Sequence, residues 1–596
     1  MDDLFVRSCR RAAGWLRAKD APSRVSESRL RAADSARMQR AIDFLGLPVS
    51  PNEVCAFAIV VAIATAVGLA AIVLAASLAT SGGVLSFSLP LLAVPVLAAS
   101  AVLGHPEALA RRERLASLAE APEAVSYLAM SLHVRPSLDR AIAFAARHTG
   151  GALGRHLRGV LWDVHLRTRT RIEDVFLRFA DDWGTWNGEL KSALYTIAHA
   201  VHEGPREGMS PTLDRARAMV YEGTRRRWQD YAAGLRGPTT ALFALGVLLP
   251  LIVGSMVPLL SLGSVAPSSF QTQPPPPGDP LPWILLLDVG FPALTFLFAF
   301  RVSGRRPGLA ARRDEIRWRP LVVFAMIPAP AFVLLAWACP DFVPPLLAVG
   351  GLVGGACLAL HLATRGAMRE RTLTRVVERE FPDALFQLGS RLREGRGLED
   401  AFLAVAGGFR GAAAGELFAR IANTLRLGGG TIEDGLFGPR GALRGVRSRS
   451  VRASLRMAVD IAAKDPASAG ESVIEMSGHL RDLEAVERDL HAEIRPTVDA
   501  MRATAAFFAP LVLGVTAGLY GLLARAFSSF ASLPMSPALF QAALGVHLLF
   551  GTAAIQYFAT RVDGGDTTAF AASLARILPV GYVLFAATAF LSSLIL

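Results

Sequence analysis

Residues 121–146 read APEAVSYLAMSLHVRPSLDRAIAFAA, and residues 381–406 read FPDALFQLGSRLREGRGLEDAFLAVA. Laid over one another at an offset of 260, they match Pro122 with Pro382, Ala124 with Ala384, Leu128 with Leu388 and Leu132 with Leu392. Leu138 then meets Leu398, Ala141 meets Ala401, and Ala146 meets Ala406. Carboxylates coincide too, Glu123 with Asp383 and Asp139 with Glu399. The apolar matches return every three or four residues, the spacing of one helix face. Each stretch predicts helices with one buried side.

The register continues without a gap. Ile-Glu-Asp recurs at 172–174 and 432–434, and LPLIVG at 249–254 meets APLVLG at 509–514. One offset held across more than 130 residues of different composition implies an internal duplication.

The surrounding chain is 596 residues long, 52% hydrophobic and only 19% charged, which excludes an ordinary soluble enzyme and predicts a polytopic membrane protein. A spanning helix needs about 20 apolar residues because hydrocarbon satisfies no backbone amide. Nine runs reach or approach that length: 54–79, 85–103, 239–262, 282–300, 321–339, 344–363, 503–524, 537–558 and 577–596. The second, fourth and fifth are short or carry prolines. Two polar segments, 104–238 and 364–502, separate these runs and carry helical periodicity, so antiparallel bundles are expected. The predicted fold is all-α, with about nine transmembrane helices and two duplicated cytoplasmic helical-bundle domains. Each unit holds two spans, a bundle and two more spans; four crossings return the chain to its starting side, so the repeat is parallel rather than inverted. The ninth span lies outside it.

Arginine placement orients the chain. Residues 301–319 hold seven arginines, whereas the loops 80–84, 263–281 and 340–343 hold no basic residue. By the positive-inside rule the basic N-terminal region 1–53, both bundles and the loop 301–320 are cytoplasmic, and the C-terminus is outside. Residues 1–20 have no apolar core behind their charges, so no cleavable signal is expected. The net charge of +12 reads as topology and contact with anionic membrane lipids rather than nucleic acid. Cys9, Cys55, Cys339 and Cys357 show no Cys-x-x-Cys spacing and read as packing residues.

In residues 381–406 a proline opens a helix, leucines line one face, glycines break it, and Leu-x-x-Ala follows. This resembles the cytoplasmic helical domain of the type II secretion F family. Two copies on four-helix membrane units, plus an extra terminal helix, resemble its archaeal double-domain form, the membrane platform of archaella and archaeal type IV pili. The resemblance spans about 107–558. It implies a plasma-membrane platform, single or homo-oligomeric, that couples a cytoplasmic secretion or assembly ATPase to extraction and insertion of pilin-like filament subunits. Copy one departs where Arg135, Pro136 and Ser137 replace Gly395, Arg396 and Gly397, so the two bundles need not meet the same partner.

No catalytic, cofactor or metal site is expected. No glycine precedes a lysine, which excludes a phosphate-binding loop of the Gly-x-x-x-x-Gly-Lys type. HEGPREG at 202–208 lacks the second histidine of a zincin helix, and HAE at 491–493 lacks a Cys-x-x-Cys partner. Function is then carried by surfaces. Glu173, Asp174, Glu433 and Asp434 either complement free amides at helix starts or form a docking contact repeated in both bundles. Arg305, Arg306, Arg312 and Arg313 would present the opposite charge to the same partner. Asp288 and His547 interrupt apolar runs, where a charge costs about 2.5–3.5 kcal/mol at the bilayer centre. They should face protein and pair with one another or with Arg525, as a polar clasp or in a pilin-contacting or proton-relay role. Gly350 and Gly354, Gly351 and Gly355, and Gly514 and Gly518 stand four apart, as in close helix packing. The alternative function is the membrane subunit of an exporter or transporter driven by a separate ATPase, which would need a polar path through the spans.

Overall fold

The computed structural model describes residues 2–18, 32–79, 93–134, 136–166, 171–201, 206–263, 281–303, 345–428, 431–446, 448–462, 466–527 and 535–595. Of these, 91% are helical and none is in a strand. The chain divides into two compact units, Met1–Ser117 and Leu118–Leu596.

In the first unit α1 (Asp2–Ala18), α2 (Ala32–Leu45) and α3 (Pro51–Ala79) are joined by the start of α4 (Ala93–Val134). Val6, Cys9, Met38, Ile42, Val49 and Val54 form a small core that packs α1, α2 and the start of α3 together. Arg10 donates 2.7 Å to the Pro48 carbonyl and ties α1 to the α2–α3 turn. Glu53 accepts the Ser50 N–H at 3.0 Å and holds the start of α3.

The second unit continues with α5 (Leu138–His148), α6 (Gly151–Leu166), α7 (Ile172–Gly184), α8 (Gly188–Ala200) and α9 (Arg206–Gly234). These pack with the end of α4 as a first bundle. Next come α10 (Arg236–Phe243), α11 (Leu249–Gly263), α12 (Leu281–Leu285) and α13 (Phe291–Ser303). A second bundle uses the end of α14 (Pro345–Arg393), then α15 (Leu398–Gly408), α16 (Ala413–Gly428), α17 (Ile432–Phe437), α18 (Arg449–Ala462) and α19 (Pro466–Ala503). The unit closes with α20 (Ala509–Phe527), α21 (Pro537–Val562) and α22 (Thr567–Ile595). Single π-helical turns, Ala244–Leu248, Leu286–Gly290 and Thr504–Phe508, link α10 to α11, α12 to α13 and α19 to α20.

Boundaries recur at the sequence offset of 260: Leu138 with Leu398, Ile172 with Ile432, Arg206 with Pro466, and the π turns at Ala244 and Thr504. Gly151 and Gly411 both take positive φ, 57° and 86°, which a side chain would resist. Leu128, Leu132, Leu138 and Ala141, with Leu388, Leu392, Leu398 and Ala401, are all buried, so the periodic faces read from sequence are core faces. The two segments differ after Ile-Glu-Asp. α7 runs 13 residues, but α17 stops after 6, where Pro439 disfavours helical backbone at Gly438 and donates no amide.

Six described helices are long and apolar enough to cross a membrane: Pro51–Gly68, Met209–Met256, Trp283–Ser303, Ala469–Ala526, Pro537–Val562 and Thr567–Ser592. They take in the first, third, fourth, seventh, eighth and ninth apolar runs. Of the second run only 93–103 is described, as the start of α4; the sixth opens α14; the fifth, 321–339, lies outside the described residues. Leu297, Phe507, Val583 and Phe590 are each more than half exposed, which suits lipid and not water.

Within the second unit the span-length helices share a core in which the Tyr520 and Phe540 rings stack at 3.9 Å and the Tyr582 hydroxyl donates 2.5 Å to the Leu346 carbonyl. The Gly514–Gly518 groove holds this chain's own α22: a Cβ on Gly514 would lie 2.8 Å from the Phe585 carbonyl and overlap Thr588, and one on Gly518 would overlap Ser592. At Gly350 a Cβ would come 2.9 Å from the Tyr582 ring, whereas Gly354 has open space. Gly514→Leu should therefore cost about 1–3 kcal/mol by overpacking, lowering the thermal midpoint of the detergent-solubilised protein. Gly354→Ala should stay within about 0.5 kcal/mol of the parent.

Candidate functional site

A π turn skips a backbone partner: Leu249 donates to Ala244 and Phe291 to Leu286, five residues back, so a carbonyl inside each turn is released. Among apolar helices such a carbonyl needs a donor. His547, buried on α21, reaches both turns and as a neutral ring supplies a donor to one of them. Its Nδ1 stands 2.8 Å from the Leu287 carbonyl and its Nε2 3.4 Å from the Gly246 carbonyl. The shorter contact places the proton of the neutral ring on Nδ1; a doubly protonated ring would donate to both carbonyls.

His547 thus spends both ring nitrogens on backbone rather than on Asp288 or Arg525. Asp288 occupies the same π turn as Leu287, and its Oδ1 is buried without a hydrogen-bond partner among the described residues. Further along α21, Thr552 and Gln556 are buried with side-chain atoms equally unpartnered among those residues, and Thr560 meets Ser573 at 3.1 Å. α21 therefore carries a buried polar stripe, His547, Thr552, Gln556 and Thr560, inside an otherwise apolar helix.

Glu173 and Asp174 lie in the first turn of α7, and Glu433 and Asp434 in the first turn of α17, where carboxylates complement free amides. Thr431 caps α17, accepting the Asp434 N–H at 3.2 Å while its hydroxyl donates 2.7 Å to Asp434 Oδ2. Glu433 pairs with Arg456 at 2.9 Å, a half-exposed contact worth at most about 1 kcal/mol. Arg305, Arg306, Arg312 and Arg313 lie outside the described residues.

Two polar contacts were not anticipated from sequence. Between the bundles, buried Arg217 of α9 meets His479 of α19 and pairs with Asp214, while His133 Nε2 stands 3.1 Å from Glu475 Oε1. Burial holds His133 below its usual range, so the His133–Glu475 contact needs no charge on the ring at neutral pH. At the turn between α21 and α22, Arg371 grips Asp566 through two guanidinium nitrogens, Nη1 at 2.6 Å, and Arg502 Nη2 holds Asp563 at 2.9 Å. His491, 3.7 Å from Asp563, and Arg502 together lower its carboxyl to about 2. The local signal was the pair of aspartates in DGGD at 563–566 between two apolar runs, but their partners lie 195 and 61 residues away.

Among the described residues no group of three or more His, Cys, Asp and Glu is placed to hold a metal ion. No family model, curated protein or solved structure matches the chain.

Replacing His547 with Phe would leave the buried Leu287 carbonyl without its side-chain donor, a loss of about 1–3 kcal/mol that thermal unfolding in detergent would register. His547→Gln, which keeps an N–H, should recover part of it. For Asp563 the folded carboxyl lies below the unfolded value of 3.8, so its contribution is complete above 3.8 and disappears as pH falls towards about 2. Over that window protease access to the α21–α22 turn should rise in the parent and change less in Asp563→Asn.

Proposed function

We propose that the chain is a polytopic membrane platform for assembling a type IV filament, similar to the archaeal double-domain form of the type II secretion F family. In this reading a cytoplasmic ATPase docks on the helical bundles, and pilin-like subunits are extracted and inserted against the spans. Nine spans, a cytoplasmic N-terminus, two duplicated cytoplasmic bundles and an external C-terminus complete the arrangement, with single or homo-oligomeric assembly.

One observation carries the proposal. Each bundle feeds a helical path directly into a span-length apolar stretch, Met209–Met256 from the first and Ala469–Ala526 from the second. Both paths carry their π turn at the same register, Ala244–Leu248 and Thr504–Phe508. A load on either bundle is delivered to the membrane through continuous backbone, which suits a transmission driven by a separate motor. Such a motor does work on the platform only if its successive states bind different platform conformations with different affinity.

The alternative, a subunit of an ATPase-driven exporter or transporter, draws on the buried polar stripe of α21. A conducting path would need that stripe to line an opening through the spans.

Docking is tested with two variants. One changes Arg305, Arg306, Arg312 and Arg313 to Gln; the other changes Glu173, Asp174, Glu433 and Asp434 to Ala. Each should keep its membrane insertion and recruit less assembly ATPase to isolated membranes, the deficit narrowing as salt rises because screening, to about 8 Å at physiological strength, weakens the same charge contacts in the parent. Unchanged recruitment in both would remove these residues from the interface.

A further inference from the structure

A cleft of about 1190 Å³ opens between the two bundles. The end of α5 and start of α6 form one wall; α17, residues 438–446 and α18 form the other. The second wall exists because α17 stops at Gly438–Pro439, where α7 in the first copy continues as helix.

The lining is cationic. Arg147, Arg158, Arg444, Arg452 and Arg456 face the space against two carboxylates, Glu433 and Asp460. Backbone carbonyls orient three of these arginines without neutralising them: Arg158 donates to Ala146 at 2.9 Å, Arg444 to Pro439 at 3.2 Å and Arg452 to Leu443 at 2.8 Å. Among the described residues only Arg456 of the five pairs with a carboxylate, that of Glu433. Each guanidinium has five N–H donors in a planar fork, so most remain available to oxyanions.

A second observation points the same way. Thr149, at the α5–α6 junction in this lining, is 2% exposed, and its hydroxyl has no hydrogen-bond partner among the described residues. A buried hydroxyl without a partner costs free energy that a ligand oxygen at the same place would recover. Beside it stands the N-terminus of α6, 16 residues long, where the Glu120 carboxylate already lies against Gly151. Flat apolar surface is also present: the Phe144 and His148 rings lie 4.2 Å apart, and Phe437 sits under the Arg456 guanidinium at 5.1 Å.

We propose that this inter-bundle cleft binds a small phosphate-bearing anion of nucleotide size. The arginines and Thr149 take the phosphate oxygens, and the rings near Phe144 and Phe437 take a planar base. The volume exceeds what one phosphate fills and slightly exceeds the ordinary range of about 300–1,000 Å³ for small-ligand sites. Concavity favours such a ligand over an acidic protein helix, which would rest on a flatter surface. Because the two walls belong to different bundles, occupancy would fix one bundle against the other.

The test uses the full-length chain in detergent without divalent metal, titrated calorimetrically with ATP, inorganic tripolyphosphate and a heptaglutamate peptide. The parent should bind ATP and tripolyphosphate saturably. Arg147→Gln combined with Arg444→Gln should weaken both by about tenfold or more, and Thr149→Val by a smaller factor, while Arg495→Gln on the exposed face of α19 should change neither. Should the double variant fail to fold, Arg147→Gln alone decides, since Arg147 is exposed. The proposal is overturned if neither phosphate compound binds, if the cleft variants bind like the parent, or if only heptaglutamate binds and the variants abolish that. The last result would make the cleft a protein dock.

Discussion

A backbone carbonyl buried among apolar side chains must find a donor, and the apolar half of this chain is arranged around that requirement. Most carbonyls are served by their own helices. The π turns at Ala244–Leu248 and Leu286–Gly290 break the ladder, and one imidazole on a third helix reaches both, donating to the Leu287 carbonyl. His547 therefore connects three helices through a contact with no apolar substitute. Close packing shapes another contact nearby, where Gly514 and Gly518 bring α22 against α20.

The route from bundles to spans is covalent. α19 continues through a π turn, and α9 through α10 and a π turn, into apolar helix, so each bundle is joined to a span-length stretch by unbroken backbone. Ion pairs clamp the ends of that route instead of forming it. Arg502, the penultimate residue of α19, holds Asp563, and Arg371 of α14 holds Asp566, fixing the α21–α22 turn against two long helices. Partly buried charge pairs of this kind specify geometry more than they add stability.

Divergence between the copies is as informative as their agreement. Helix starts and π turns keep the offset, whereas Gly438–Pro439 cut short a helix that is complete in the first copy. The resulting irregular segment carries Arg444 and borders the arginine-lined cleft. Two segments alike in register therefore differ at the place where the bundles meet.

The sequence by itself determined the helical class, most of the span-length helices and the buried faces of both bundles, because these depend on periodicity and on runs of apolar residues. Leu128 and Leu388, or Ala141 and Ala401, are buried for reasons visible within ten residues of each. It also placed Glu173 and Glu433 in first helical turns, since the surrounding pattern marks a helix start. Only the tertiary structure decided what His547 touches, which glycine groove is filled by the chain's own helix, and that five arginines from two bundles share one cleft. Those contacts join residues up to 301 positions apart, as between His547 and Gly246. Local pattern carries no information about which distant backbone group will arrive with an unpaired carbonyl; that is settled when packing of the apolar faces has fixed where each helix lies.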